Sequence, residues 1–212
     1  MPMILLKHWE SLSAFIKRGV KIKTSTIIRT ATSTLLLLSL SVAHADEWTG
    51  NVSGFLGHKS VDSEDWKGLD SQGSLGVISD FGKQNWPVSI AIDAFIAGAG
   101  DKSDGQEKIA GTFEIHLGVR KVFTIEDSIF SPYVGGGVAQ VAGVVENKNN
   151  GKTVDDDDTG YGYWAGVGTY IKITPSFNIG VDVRYSSAEV TLFDIDRDTD
   201  GLQAGITAGY HW

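Results

Sequence analysis

The segment "DIDRDTDG" (194–201) sets Asp196, Asp198 and Asp200 at alternate positions ahead of Gly201. Carboxylates at that spacing can converge on a hard divalent cation, and the glycine permits the sharp turn such a loop needs. The bidentate Glu expected further along is missing, because Thr207 stands there. Residues 155–158 are four consecutive Asp and offer a second acidic patch. These runs read as solvated anionic loops. No tightly held cofactor is expected; Asp196, Asp198 and Asp200 are the candidate ligands for loosely bound Ca2+ or Mg2+. A second candidate is His58-Lys59-Ser60, a base and a hydroxyl two residues apart, with Asp200 available to orient the imidazole. An H-x-S pair arises often by chance and does not make a catalytic site alone. A third set is the isolated charges Asp93, Glu114, Arg120, Asp182 and Arg184, each embedded in an otherwise small or apolar segment. The chain has no Cys, which excludes disulfides, CxxC redox chemistry and zinc-thiolate sites.

The elements that carry these residues alternate with period two, the signature of strands with unlike faces. In "TFEIHLGVRKVF", Phe113, Ile115, Leu117 and Val119 oppose Glu114, His116 and Arg120. In "SFNIGVDVRY", Phe177, Ile179, Val181, Val183 and Tyr185 oppose Asn178, Asp182 and Arg184. The last residues repeat the pattern, with Leu202, Ala204, Ile206, Ala208, Tyr210 and Trp212 on one face. Turn signals divide the chain into eight runs near 48–59, 69–80, 87–99, 109–123, 131–145, 160–173, 176–190 and 201–212. Nothing in 46–212 sustains a helical period, so the 26 glycines read as sheet residues rather than a phosphate loop.

The connections alternate in length. Those at 60–68, 100–108, 146–159 and 191–200 are long; those at 81–86, 124–130 and 174–175 are short. In an up-and-down barrel successive connections lie at opposite ends, so the long ones share one rim and both termini share the other. The long ones hold most of the acids, including Asp62, Glu64, Asp65 and Asp104. One rim is therefore anionic and the other compact.

The first 45 residues carry Lys7, Lys17, Arg18, Lys21, Lys23 and Arg29 against the single acid Glu10. The apolar run "LLLLSLSV" and the small-residue pattern "AHAD" follow, which reads as an export signal cleaved after Ala45, with a start codon at Met1 or further in, such as Met3. The run is shorter than the ~20 apolar residues of a spanning helix. Segment 46–212 then has a net charge of −13. A domain so acidic repels nucleic acid, which excludes it as a partner.

Period two alone does not say which face is inside. A soluble lipocalin-like barrel turns apolar side chains inward; a membrane barrel turns them to lipid and fills its lumen with polar ones. The polar faces here are rich in Gly, Ser, Thr and Asn with a few charges, unlike the Lys- and Glu-rich face of a soluble strand. Runs of ~10 tilted residues suit the hydrocarbon layer. Aromatics gather at the stripe ends: Trp48, Phe81, Trp86, Phe123, Phe130, Phe177 and Trp212 at the compact rim, with Trp66, Tyr161, Tyr163 and Phe193 at the other. These features predict an all-β fold, an eight-stranded antiparallel up-and-down transmembrane β-barrel spanning 46–212. The charges Asp93, Glu114, Arg120, Asp182 and Arg184 then meet in its lumen and plug it.

The motifs "SPYVGGGVA", "ITPSFNIGVDVRY" and the terminal alternating strand resemble those of small eight-stranded bacterial outer-membrane barrels: the OmpA transmembrane domain, OmpX and opacity-type proteins. The resemblance implies an outer-membrane location with periplasmic termini and acidic loops outside the cell. It implies that Tyr210 and Trp212 serve as the signal to the barrel-assembly machinery. It also implies outer-membrane lipid and lipopolysaccharide as partners and a monomeric state. The expected role is structural or surface-interactive: envelope integrity, adhesion or lipopolysaccharide contact. Three alternatives remain: a narrow pore for small solutes, a soluble lipocalin-like binder, and a lipid A deacylase-like enzyme. For the last, His58 and Ser60 lie in the first strand, whereas the deacylase barrels carry their His-x-Ser pair late in the chain. An enzyme is therefore not expected.

Overall fold

The computed structural model describes residues 48–61, 66, 68–103, 106–149 and 152–212. The expected export segment 1–45 lies outside the described residues. Among the described residues nine strands run in chain order: β1 (Trp48–Val61), β2 (Ser71–Lys83), β3 (Ser89–Ser103), β4 (Gln106–Val122), β5 (Phe130–Asn149), β6 (Lys152–Lys172), β7 (Phe177–Leu192), β8 (Ile195–Asp198) and β9 (Gly201–His211). Each strand from β1 to β7 pairs antiparallel with the next, β7 pairs with β9, and β9 pairs back to β1. The ring is thus closed by eight strands, with no free edge at the seam. Closure runs from Asn51↔His211 to Val61↔Gly201. Beyond it, Gly50 and Trp212 exchange backbone hydrogen bonds of 3.1 Å in both directions, and Thr49 Oγ1 donates to the Trp212 carbonyl at 2.8 Å. Trp212 is thus tied to β1 by backbone hydrogen bonds just beyond the end of β9.

The ninth strand is a departure from the eight expected runs. β8 pairs with β7 on the edge β9 occupies lower down, Glu189↔Asp198 continuing where Ser186↔Gly201 stops. It is the outward continuation of the last barrel strand, interrupted at Thr199 and Asp200. The expected long connections also differ. Residues 100–103, 106–108, 146–149 and 152–159 are strand, because ladder pairing continues without a break through Ser103↔Gln106 and Asn149↔Lys152. The 191–200 connection is a tight hairpin whose turn residues, Phe193 and Asp194, have φ of 54° and 61°. Two successive positive φ values match the right-handed twist of the flanking strands. Alternation fades in these segments because both faces leave the bilayer, so sequence period alone could not extend the strands.

The faces divide as a membrane barrel requires. Ile179, Ile206, Leu117 and Val181 are exposed while their neighbours Glu114, His116, Asp182 and Arg184 are buried. That arrangement overturns the soluble lipocalin-like alternative. Large inward side chains are accommodated by glycines on the adjacent strand. Tyr133 lies across Gly168, its ladder partner, and Phe95 across Gly76. A Cβ at either glycine would collide with the ring.

Candidate functional site

The bore is built by inward positions of every barrel strand. Glu114 on β4 is its first hub. It accepts from Lys59 Nζ at 2.6 Å, Thr112 Oγ1 at 3.0 Å and Ser186 Oγ at 2.9 Å, and contacts His116 Nε2 at 3.0 Å. Asp93 on β3 is the second hub. It accepts from Arg120 Nη2 at 2.7 Å, Arg184 Nη1 at 2.8 Å and the Ser79 amide at 3.0 Å. Asp182 holds Arg184 Nε at 2.7 Å and the Tyr133 hydroxyl at 2.7 Å. Asp80 takes Arg120 Nη1 at 3.2 Å and the Tyr170 hydroxyl at 2.7 Å. The guanidinium of Arg184 also lies 4.2 Å from the Phe95 ring centroid, and that of Arg120 lies 5.1 Å from Tyr133. Such stacking engages the guanidinium face that carboxylates leave open. His116 stacks on Trp164 at 5.5 Å.

Burying one such charge alone costs several kcal/mol, so each must be matched. Among the described residues the bore sets Lys59, Arg120 and Arg184 against Asp80, Asp93, Glu114 and Asp182, and every one of these is paired. The five charges expected from sequence are all present here. Arg184 bridges Asp93 to Asp182, Arg120 joins Asp93, and Glu114 forms its own node with Lys59. Lys59 and Asp80 were missed, although parity could have found them. Lys59 stands on the same face as Asn51, Ser53 and Phe55. Asp80 stands on that of Gln72 and Ser74, but β2 alternates too weakly to announce it.

Above this network the bore turns apolar. Val61, Trp66, Leu69, Ala99, Ala110, Val145, Val190 and Leu192 form one buried cluster. Trp66 is 2% exposed, and its indole donates to the Asp198 carbonyl at 2.7 Å. It was expected in the aromatic belt; it instead fills the mouth of the long-hairpin end. The belt at the compact rim is present, with Trp48 6.5 Å from Phe81 and 5.6 Å from Trp86, and Tyr210 stacked on Trp212.

The other candidates are not gathered. Asp196 accepts from Thr191 Oγ1 at 2.8 Å, and Asp200 accepts from the Ala188 amide and the Tyr185 hydroxyl. Extended backbone spaces Asp196 and Asp198 along β8, and no three His, Asp or Glu side chains converge as a metal site among the described residues. Asp156 and Asp158 instead accept the Phe193 and Thr191 amides at 2.6 and 2.7 Å. They bridge β6 to β7 beyond Gly162↔Ala188, where ladder pairing ends. His58 and Ser60 both face away from the bore, and His58 Nε2 lies 3.4 Å from Ser71 Oγ.

A closed antiparallel barrel with an apolar exterior and an ion-paired interior is a membrane-spanning barrel. The chain belongs to the outer membrane protein beta-barrel domain family, whose model matches residues 32–212. No curated protein matches its sequence. Among solved structures, it is similar to Ail, the attachment invasion locus protein of Yersinia pestis, in complex with the heparin analogue sucrose octasulfate. That likeness has a TM-score of 0.57 at 14% identity, covering 78% of this chain and 99% of Ail. A major outer membrane protein from Thermus thermophilus gives 0.54 at 11% identity over 80% and 100% of the two chains. Neisserial surface protein A gives 0.50 at 14% identity over 77% and 95%. These likenesses concern the fold.

Proposed function

We propose that this outer-membrane barrel is a closed, monomeric surface protein with a structural or surface-interaction role. The termini lie in the periplasm, the long acidic hairpins outside the cell, and the mature chain begins at Asp46. The observation that carries this reading is the fully paired charge network across the bore, capped by the apolar cluster around Trp66. A channel needs water along its axis, and the paired side chains that meet across the bore support a closed one. Work of this protein would then fall on its rims and its lipid-facing wall. At the outer rim, Asp155 and Asp194 are exposed. This favours a cationic partner, or lipopolysaccharide bridged by loosely held Ca2+ or Mg2+. It disfavours a polyanion of the kind bound to Ail. Tyr210 and Trp212, outward on the closing strand, would serve the assembly machinery.

Two measurements test this. Reconstituted protein should give no conductance steps in planar bilayers; regular steps altered by Glu114→Ala or Arg184→Ala would instead establish a pore. Because the chain has no Cys, single substitutions report topology cleanly. Thr153→Cys should react with a membrane-impermeant maleimide on intact cells, and Gln84→Cys only after permeabilisation. The reverse pattern would invert the proposed orientation.

A further inference from the structure

The compact end of the bore is not filled. A cavity of about 430 Å³ opens there, between the Asp80–Arg120–Tyr170 floor and the short turns. That volume lies within the range of small-molecule sites. Apart from the bore and the four long connections, the basic residues of 46–212 are Lys83, Lys121 and Lys172, and all three line this cavity. Lys121 and Lys172 are exposed and make no ion pair among the described residues. Among the described residues Asp80 is the one side-chain carboxylate in the lining, and it is already taken by Arg120 and Tyr170. Glu126 and Asp127 sit on the β4–β5 turn, outside the lining. In a domain of net charge −13, the basic residues that lie outside the bore and the long connections thus all face one concavity.

The floor adds a second observation. Arg120 Nε and Asn178 Oδ1 are buried and have no protein partner among the described residues, and both residues line the cavity. Asn178 donates through Nδ2 to Asn51 at 2.6 Å, which fixes the amide with its oxygen left over. An occupant seated against this floor that both donates and accepts would offer partners to such a donor and acceptor. A hydroxyl does so; the lysine rim above it selects an anion.

We propose that this vestibule is a binding site for a hydroxyl-bearing phosphate ester of the glycerophosphate class, with phosphate at Lys83, Lys121 and Lys172 and hydroxyls directed to the floor. The chemistry is shared by a soluble glycerol phosphate and by the headgroup of phosphatidylglycerol. That the vestibule opens to the periplasm rests on the proposed topology; the binding chemistry does not.

The test is calorimetric titration of glycerol 1-phosphate into the protein in neutral maltoside micelles. Saturable binding is expected, weakened roughly tenfold or more in the K83Q/K121Q/K172Q variant and by high salt, since exposed charges are screened. Inorganic phosphate should bind more weakly and glycerol not at all. Retained heat-modifiable migration shows that the variant is folded. Repetition in nanodiscs separates the sources. Loss of the added-ligand signal in phosphatidylglycerol but not phosphatidylcholine assigns the site to the lipid headgroup. An equal signal in both assigns it to the soluble ester. No saturable binding in micelles, or equal affinity in the triple variant, overturns the proposal. Failure of the orientation appears separately, in the labelling of Thr153→Cys and Gln84→Cys.

Discussion

Asp93 offers the sharpest measure of what the bore network contributes. Its carboxylate is fully buried and accepts from two guanidinium groups and one amide. Removing one partner of a buried ion pair typically costs about 3–5 kcal/mol, because the remaining charge stays desolvated. Here Arg120 keeps Asp80 and Arg184 keeps Asp182, which points to the lower part of that range. Asp93→Asn should therefore destabilise the barrel by about 3 kcal/mol, more than a hundredfold in the folding equilibrium. The assay is reversible urea unfolding from lipid vesicles, followed by tryptophan fluorescence. Asp196→Asn, on the exposed strand β8, is the control and should stay within about 0.5 kcal/mol. The double variant Asp93→Leu/Arg184→Met should lose less than the sum of its single variants, because it removes both members of one pair. A shift below about 1 kcal/mol for Asp93→Asn would mean that water reaches the network, and the plugged bore would fail with it.

Further outcomes follow from other parts of the fold. Unboiled protein should migrate faster than boiled protein on a gel and partition with the outer membrane; a water-soluble, heat-insensitive species would contradict the barrel. Deletion of Trp212 removes the reciprocal hydrogen bonds to Gly50, so the yield of fast-migrating form after pulse labelling should fall severalfold, with Trp212→Ala less severe because its backbone remains. Asp156→Ala/Asp158→Ala should speed hydrogen exchange at the Thr191 and Phe193 amides about tenfold, the effect of losing a bond worth about 1.4 kcal/mol. Ser60→Ala should leave the lipid A profile unchanged by mass spectrometry; a profile that changes would revive hydrolysis at His58 and Ser60.

The barrel was legible because the bilayer imposes period two twice, once on lipid and once on the bore. Ile179, Val181 and Val183 alternate with Asn178, Asp182 and Arg184, and the structure keeps that division without slippage. The five expected bore charges were legible for the same reason: a charge amid small residues on a spanning strand has nowhere to go but inward. What escaped were features governed by contacts across strands. Trp66 looks like any belt aromatic in sequence; only the Asp198 carbonyl and the Leu192 side of the mouth turn it inward. The acids at 155–158 look like a solvated loop, and the use of Asp156 and Asp158 as acceptors for the Phe193 and Thr191 amides depends on where the β6–β7 ladder ends.

The bore is therefore graded rather than uniform, and the gradient has a physical cause. In the middle, lipid surrounds the wall, inward residues are the polar half of the alternation, and matched ion pairs are the one stable way to fill a narrow space. Towards the long-hairpin end the strands outlast the bilayer. Their inner faces can close on Val190, Leu192 and Trp66 as any water-soluble core would. At the compact end the strands stop close to the belt, marked by Trp48, Trp86 and Trp212, and too little chain remains to build a second cap. The described residues thus place an apolar cluster at one end and an open concavity at the other. On the proposed reading, an anionic solute in that concavity would meet the Arg120–Asp80–Asp93 network as a floor and bind there without passing through.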